Sequence, residues 1–152
     1  MIMTLSLFLH VLSIVVWVGG MFFAYMALRP VAASVLEPPQ RLTLWAGVFE
    51  KFFPWVWVAV VFILLSGLHM LVLLGGVEAP HYTRAMFFLG IVMMLIFGHV
   101  FFVPYQKLKR AVAEQDWKAG GAALGQIRQL VGINLSLGLL TIAVVFGGRA
   151  LG

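Results

Sequence analysis

The stretch MIMTLSLFLHVLSIVVWVGGMFFAYMAL (residues 1–28) contains no Lys, Arg, Asp or Glu. A helix needs about 20 consecutive apolar residues to cross the hydrocarbon core of a bilayer. Three further runs without these charged residues reach that length, at 54–74, 85–106 and 129–148. The sequence therefore predicts one domain, residues 1–152, with four membrane-spanning helices at about 4–28, 54–74, 85–106 and 129–148.

The composition excludes the other broad classes of protein. Hydrophobic residues make up 63% of the chain, charged residues only 10%, and the mean hydropathy is +1.08. An ordinary soluble domain is about 25% charged, so this chain lacks the polar surface to cover a soluble core. A membrane barrel is excluded because the apolar runs are continuous and four strands cannot close. We predict an all-α integral membrane protein, an antiparallel four-transmembrane-helix bundle.

The distribution of basic residues predicts the orientation of this bundle. The connections 29–53 and 107–128 hold eight of the ten Lys and Arg residues, and only Arg84 and Arg149 lie at the other end. Because cytoplasmic loops carry the excess of Lys and Arg, both termini are predicted to be periplasmic, in a bacterial inner membrane. These loops also account for the net charge of +5, so membrane lipid and not nucleic acid is the expected partner.

The first run is predicted to be a retained helix and not a cleaved signal peptide. No basic residue precedes it, Arg29 follows it, and it is longer than a signal core. Prolines mark other boundaries: a short amphipathic helix is predicted over 41–53, Pro54 is expected in the first turn of the second spanning helix, and Pro104 at the end of the third.

Polar side chains inside the apolar runs are the candidate functional residues, because a polar group in a membrane must find a partner. They are His10, His69, His99 and Asn134. At 1.5 Å per residue, His10 and His69 lie about 8–9 Å below the same surface, whereas His99 lies about 22 Å below it. His10 and His69 are therefore expected at one level on antiparallel neighbouring helices.

Two level histidines on facing helices are typical of bis-histidine haem b, since imidazole is a good iron ligand and a flat porphyrin fits inside a bundle. The leading hypothesis is a b-type haem protein with His10 and His69 as axial ligands. Arg84 is expected to hold a haem propionate. His99 is expected to pair with Asn134 or another group of the fourth helix, with a role as an inner haem ligand or relay site left open. Such a protein would have a redox or electron-transfer role with a quinone or a periplasmic partner; homo-oligomerisation and catalysis stay open.

Copper is the alternative cofactor. The chain has no cysteine, so thiolate sites are excluded, but methionine thioethers together with imidazole suit Cu(I). Met70, Met86, Met93 and Met94 lie in the second and third runs, and the consecutive pair is not expected to face one pore. A structural bundle without a cofactor is the third possibility. All five acidic residues lie outside the runs, which disfavours an ion-coupled transporter.

Two segments resemble a known family. LFLHVLSIVVWVGGMFFAYMALRP (residues 7–30) resembles the first helix of the CopD, or copper resistance D, membrane family, in which a His is followed by a Trp-x-Gly-Gly step, here His10 and residues 17–20. FGHVFFVPYQKLKRA (97–111) is similar to small CopD-domain proteins. The first helix is also similar to HemJ, a membrane protoporphyrinogen oxidase thought to use haem b, and Arg84 stands where HemJ has a lysine. The resemblance implies a CopD/HemJ-like four-helix membrane fold and favours haem b as the cofactor.

Overall fold

The computed structural model describes residues 1–151, which form helices joined by short connections. A π-helical turn, Ala24–Leu28, continues the first helix into the second, and a 3-10 turn, Gly76–Glu78, precedes the fourth. These described residues contain no strand, so the all-α prediction is confirmed. The α-helices are α1 (Ile2–Phe23), α2 (Arg29–Val35), α3 (Pro38–Leu73), α4 (His81–Phe102), α5 (Pro104–Ala113) and α6 (Trp117–Leu151).

Among residues 1–151, four helical segments are long and apolar enough to cross a membrane, which confirms the predicted spans. They are Ile2–Val35, Pro38–Leu73, His81–Ala113 and Trp117–Leu151. Within the bundle, α1 packs against α3, and α4 and α5 both pack against α6. We call the end with α2, α5 and the first turns of α3 and α6 the basic end, and the opposite end the terminal end. Which end faces the cytoplasm stays a prediction.

The second spanning helix begins much earlier than predicted. Pro38 and Pro39 occupy the first turn of α3, where a missing N–H costs little. Pro54 lies inside this helix and not in its first turn, so the separate amphipathic helix over 41–53 is wrong. Trp45 and Phe49 are buried, and the helix keeps this packed face by continuing through Pro54, which membrane helices tolerate.

The basic end departs from the prediction in the same way. α4 ends just before Pro104, as expected, but α5 follows at once as an amphipathic helix that buries Tyr105 and Leu108. The last helix begins at Trp117, well before the predicted residue 129. Helical structure extends past the apolar run because α5 packs against this polar first portion of α6.

The tightest packing lies toward the basic end. Leu42, Leu108 and Ile127 are almost completely buried there. The Phe53 ring lies 4.8 Å from the Tyr105 ring, centroid to centroid, in an edge-to-face arrangement that aromatic pairs prefer. At the terminal end the left-handed backbone of Gly75, φ 103°, turns the chain after α3. The more open terminal half of the bundle contains the buried histidine.

Candidate functional site

Two histidine–serine pairs join α1 to α3 toward the terminal end. The Nδ1 atom of His10 lies 2.9 Å from Oγ of Ser66, and Oγ of Ser6 lies 2.8 Å from Nδ1 of His69. Each helix thus supplies one histidine and one serine, and their order shows that the helices run antiparallel. The structure places the two histidines about one helical turn apart in level.

The hydrogen bonds of Ser66 indicate which tautomer His10 adopts. Its hydroxyl donates to the Phe62 carbonyl of its own helix. A serine hydroxyl has only one hydrogen, so Oγ accepts the Nδ1–H of His10. The Nε2 atom of His10 then carries a lone pair, the form of imidazole that binds metals. The ring also packs on Gly67, where an added Cβ would lie 3.3 Å from His10 Cε1.

His10 lines a cavity of about 70 Å³ enclosed by α1, α3, α4 and α6. We call this space the His10 cavity. Its wall is apolar apart from His10 and Thr141, and it includes Met86, Met93 and Met94. The expectation that the consecutive methionines cannot share a site is wrong, because neighbours only about 100° apart around a helix can both flank one space.

A haem held between His10 and His69 does not fit this arrangement. His69 is not among the residues that line the His10 cavity; it bonds Ser6, and α1 packs directly against α3. An engineered apolar cavity of about 150 Å³, twice this size, accommodates benzene, which is itself far smaller than a porphyrin. The two helices would have to separate before both imidazoles could ligate one haem.

The remaining predicted site residues lie outside this cavity. Arg84 is exposed at the start of α4, where its guanidinium donates to Nδ1 of the exposed His81. His99 is also exposed, and Asn134 donates from Nδ2 to the Met93 carbonyl, 3.2 Å away. The expected His99–Asn134 pair is therefore not formed. His99 lies six positions after Met93, which places the two residues about 120° apart around α4.

Asn134 has a feature that sequence reasoning missed. The residue is only 3% exposed, and its Oδ1 atom has no hydrogen-bond partner among residues 1–151. It lines a second cavity, of about 30 Å³, together with Trp17 and Met21. Trp17 also lines the His10 cavity, so this residue borders both spaces.

Methionine thioethers are the side chains near His10 that could act with it as metal ligands. Residues 1–151 contain no cluster of three or more His, Cys, Asp or Glu side chains that could hold a metal ion. Three methionines do share a cavity wall with the His10 imidazole, and soft thioether ligands select Cu(I). The sequence showed these methionines but not that they share a cavity. The serine partners could have been found from their spacing, because Ser6 and His10, like Ser66 and His69, are three or four residues apart and so lie on one face of their helix.

One comparison with known proteins identifies a family. The model of the family described as copper resistance protein D, CopD, matches residues 46–147, about two thirds of the chain. The match includes α4, α5 and most of α3 and α6, but not α1, which carries His10. No curated protein and no solved structure matches the chain. The matched length shows that this chain belongs to the CopD family of multi-pass membrane proteins.

Proposed function

We propose that this protein handles copper within the membrane and takes Cu(I) as its cargo into the His10 cavity. The observation that carries the proposal is the position of the His10 imidazole on one cavity wall with Met86, Met93 and Met94. Membership of the copper-resistance family supports the same metal.

The donor set suits a monovalent soft cation. Thioethers and neutral imidazole are the ligands that Cu(I) prefers, and hard divalent cations prefer the carboxylates that this cavity lacks. Ser66 fixes the Nδ1–H tautomer of His10 and so leaves Nε2 as the metal donor. Such a hydrogen bond from the non-ligating nitrogen is the usual support of a metal-bound histidine.

A competition titration with a coloured Cu(I) chelator, on the purified protein in detergent, tests this proposal. We expect one tightly held Cu(I) per chain. His10→Ala and Met93→Leu should each weaken binding by about tenfold or more, the size of effect seen when the groups around a metal are altered. Met70→Leu is the matched control, because Met70 is also buried but does not line the cavity. Equal losses in Met70→Leu and Met93→Leu would contradict the proposed site.

A b-type haem with a redox role is the second candidate, and the placement of His10 and His69 on neighbouring antiparallel helices, about one turn apart in level, favours it. It requires α1 and α3 to open relative to the arrangement described above. A quinone or periplasmic electron partner and a HemJ-like oxidase activity belong to this candidate alone. An absorption spectrum distinguishes the two: a Soret band with sharp reduced α and β bands supports haem, whereas a colourless protein that binds Cu(I) supports copper.

A further inference from the structure

Three arginines from different parts of the chain meet at a cavity of about 340 Å³ at the basic end. Arg29 follows the π-helical turn after α1, Arg41 lies in the first turns of α3, and Arg128 lies on α6. No Asp or Glu is among the residues that line this space, which we call the arginine cavity. The preference for basic loops on one side of a membrane explains why the three arginines lie at the same end of the bundle. It does not explain why they line the same cavity.

Arg29 is held in place before any ligand arrives. Its guanidinium carbon lies 4.4 Å from the centroid of the Tyr25 ring, and its Nε donates to the Tyr25 carbonyl, 3.2 Å away. Tyr25 in turn packs against Gly132, where an added Cβ would lie 3.0 Å from the ring. Because Nε is one of five donors on the guanidinium, four N–H groups remain for a ligand.

Glycines of α6 leave the space open. Gly121 and Gly125 line the cavity, and a Cβ added at either position would meet no atom within 4 Å. Most of the remaining wall is apolar, with Leu42, Trp45 and Val131 among its residues. The cavity therefore combines a cationic part with an apolar part, the pattern that an amphiphile requires.

The charges define the chemistry of the ligand. Three guanidinium groups without a carboxylate on the same wall repel one another, and an anion relieves that repulsion. The planar donor fork of arginine matches the oxygens of a phosphate. Basic pockets between membrane helices on the cytoplasmic side bind anionic lipid headgroups.

We infer that the arginine cavity binds the phosphate of an anionic phospholipid, with Arg29, Arg41 and Arg128 around the headgroup and the apolar wall against the start of the acyl chains. This site is independent of copper in the His10 cavity.

Lipid titration of the full chain, delipidated in an uncharged detergent, tests the inference. Phosphatidylglycerol should raise the unfolding temperature and remain bound in native mass spectrometry, whereas zwitterionic phosphatidylcholine should do neither. Arg41→Gln and Arg128→Gln should each weaken the apparent affinity by about fivefold, as expected for one basic residue near anionic lipid. Arg110→Gln is the charge-matched control, since Arg110 is exposed on α5 and does not line the cavity.

A cavity-filling variant distinguishes binding inside the arginine cavity from a general attraction of anionic lipid to the basic end. Gly125→Leu retains all three arginines, and its first side-chain atom enters open space, so it should fold yet lose phosphatidylglycerol binding. Normal binding by Gly125→Leu, or an equal loss in Arg110→Gln, would overturn the inference. Equal stabilisation by phosphatidylcholine would also overturn it. If inorganic phosphate alone raised the unfolding temperature as much as phosphatidylglycerol does, the ligand would be a free anion and the lipid inference would be overturned.

Discussion

The His10 imidazole donates through Nδ1 to Oγ of Ser66 across the α1–α3 contact, over a distance of 2.9 Å. The hydroxyl can accept this bond because its own hydrogen goes to the Phe62 carbonyl. In this tautomer the other ring nitrogen, Nε2, is unprotonated, as the proposed copper site requires.

Replacing Ser66 should thus weaken copper binding without removing any metal donor. We expect Ser66→Ala to lower Cu(I) affinity by about tenfold, the lower end of the effect seen for hydrogen-bond partners of ligating histidines. Ser6→Ala is the control, because Ser6 bonds His69, which does not line the His10 cavity. Competition with a chelator measures the Cu(I) affinity of both variants. An unchanged affinity in Ser66→Ala would show that Ser66 does not support the copper site.

Close packing of α6 on α4 at the terminal end depends on Gly148. A Cβ at this position would lie only 2.5 Å from the Cβ of Tyr82, so the helices would have to move apart. We expect Gly148→Ala to destabilise the fold by about 1–3 kcal/mol, as overpacking does. Gly147→Ala, where an added Cβ meets no atom within 4 Å, should be neutral or slightly stabilising. The free energies of unfolding of the two variants can be compared in mixed micelles. Equal values would contradict the close packing of α6 on α4.

The stability effects of His99 and Asn134 should differ because the two side chains do not pair. His99 is exposed, so His99→Ala should change the free energy of unfolding by less than about 0.5 kcal/mol. Asn134→Leu removes the bond to the Met93 carbonyl, about 0.6 kcal/mol for a typical interhelical bond in a membrane, but it also removes the unpaired Oδ1. A near-neutral result is therefore expected there as well. A double-mutant cycle should show no coupling energy between His99 and Asn134. A clear coupling energy would show that the two side chains do interact.

Orientation in the membrane can be tested with reporter fusions. A reporter fused at Lys118, between α5 and the body of α6, should be cytoplasmic, and one fused after the last residue should be periplasmic. Alkaline phosphatase, which is active only outside the cytoplasm, and a fluorescent protein provide complementary readouts. The opposite pattern would place the arginine cavity on the periplasmic side.

Much of the fold could be predicted because membrane insertion is a local property of the sequence. A run of about 20 apolar residues without charges has to form a helix in lipid, where each backbone polar group needs a partner within its own segment. The four spans were therefore predicted correctly from residues 1–28, 54–74, 85–106 and 129–148. Their true ends were not, since α3 and α6 extend into more polar sequence that packs on other helices.

The sequence by itself determined the class of the protein, the number of its spans and the polar side chains that require partners. Tertiary structure decided which partners they have: Ser66 for His10, Ser6 for His69 and the Met93 carbonyl for Asn134. It also decided that three methionines share a cavity with His10 and that three arginines share another. The physical reason is that helical rise gives the depth of a residue from its number, whereas its direction toward a neighbour depends on helix rotation and offset, which only packing between helices sets.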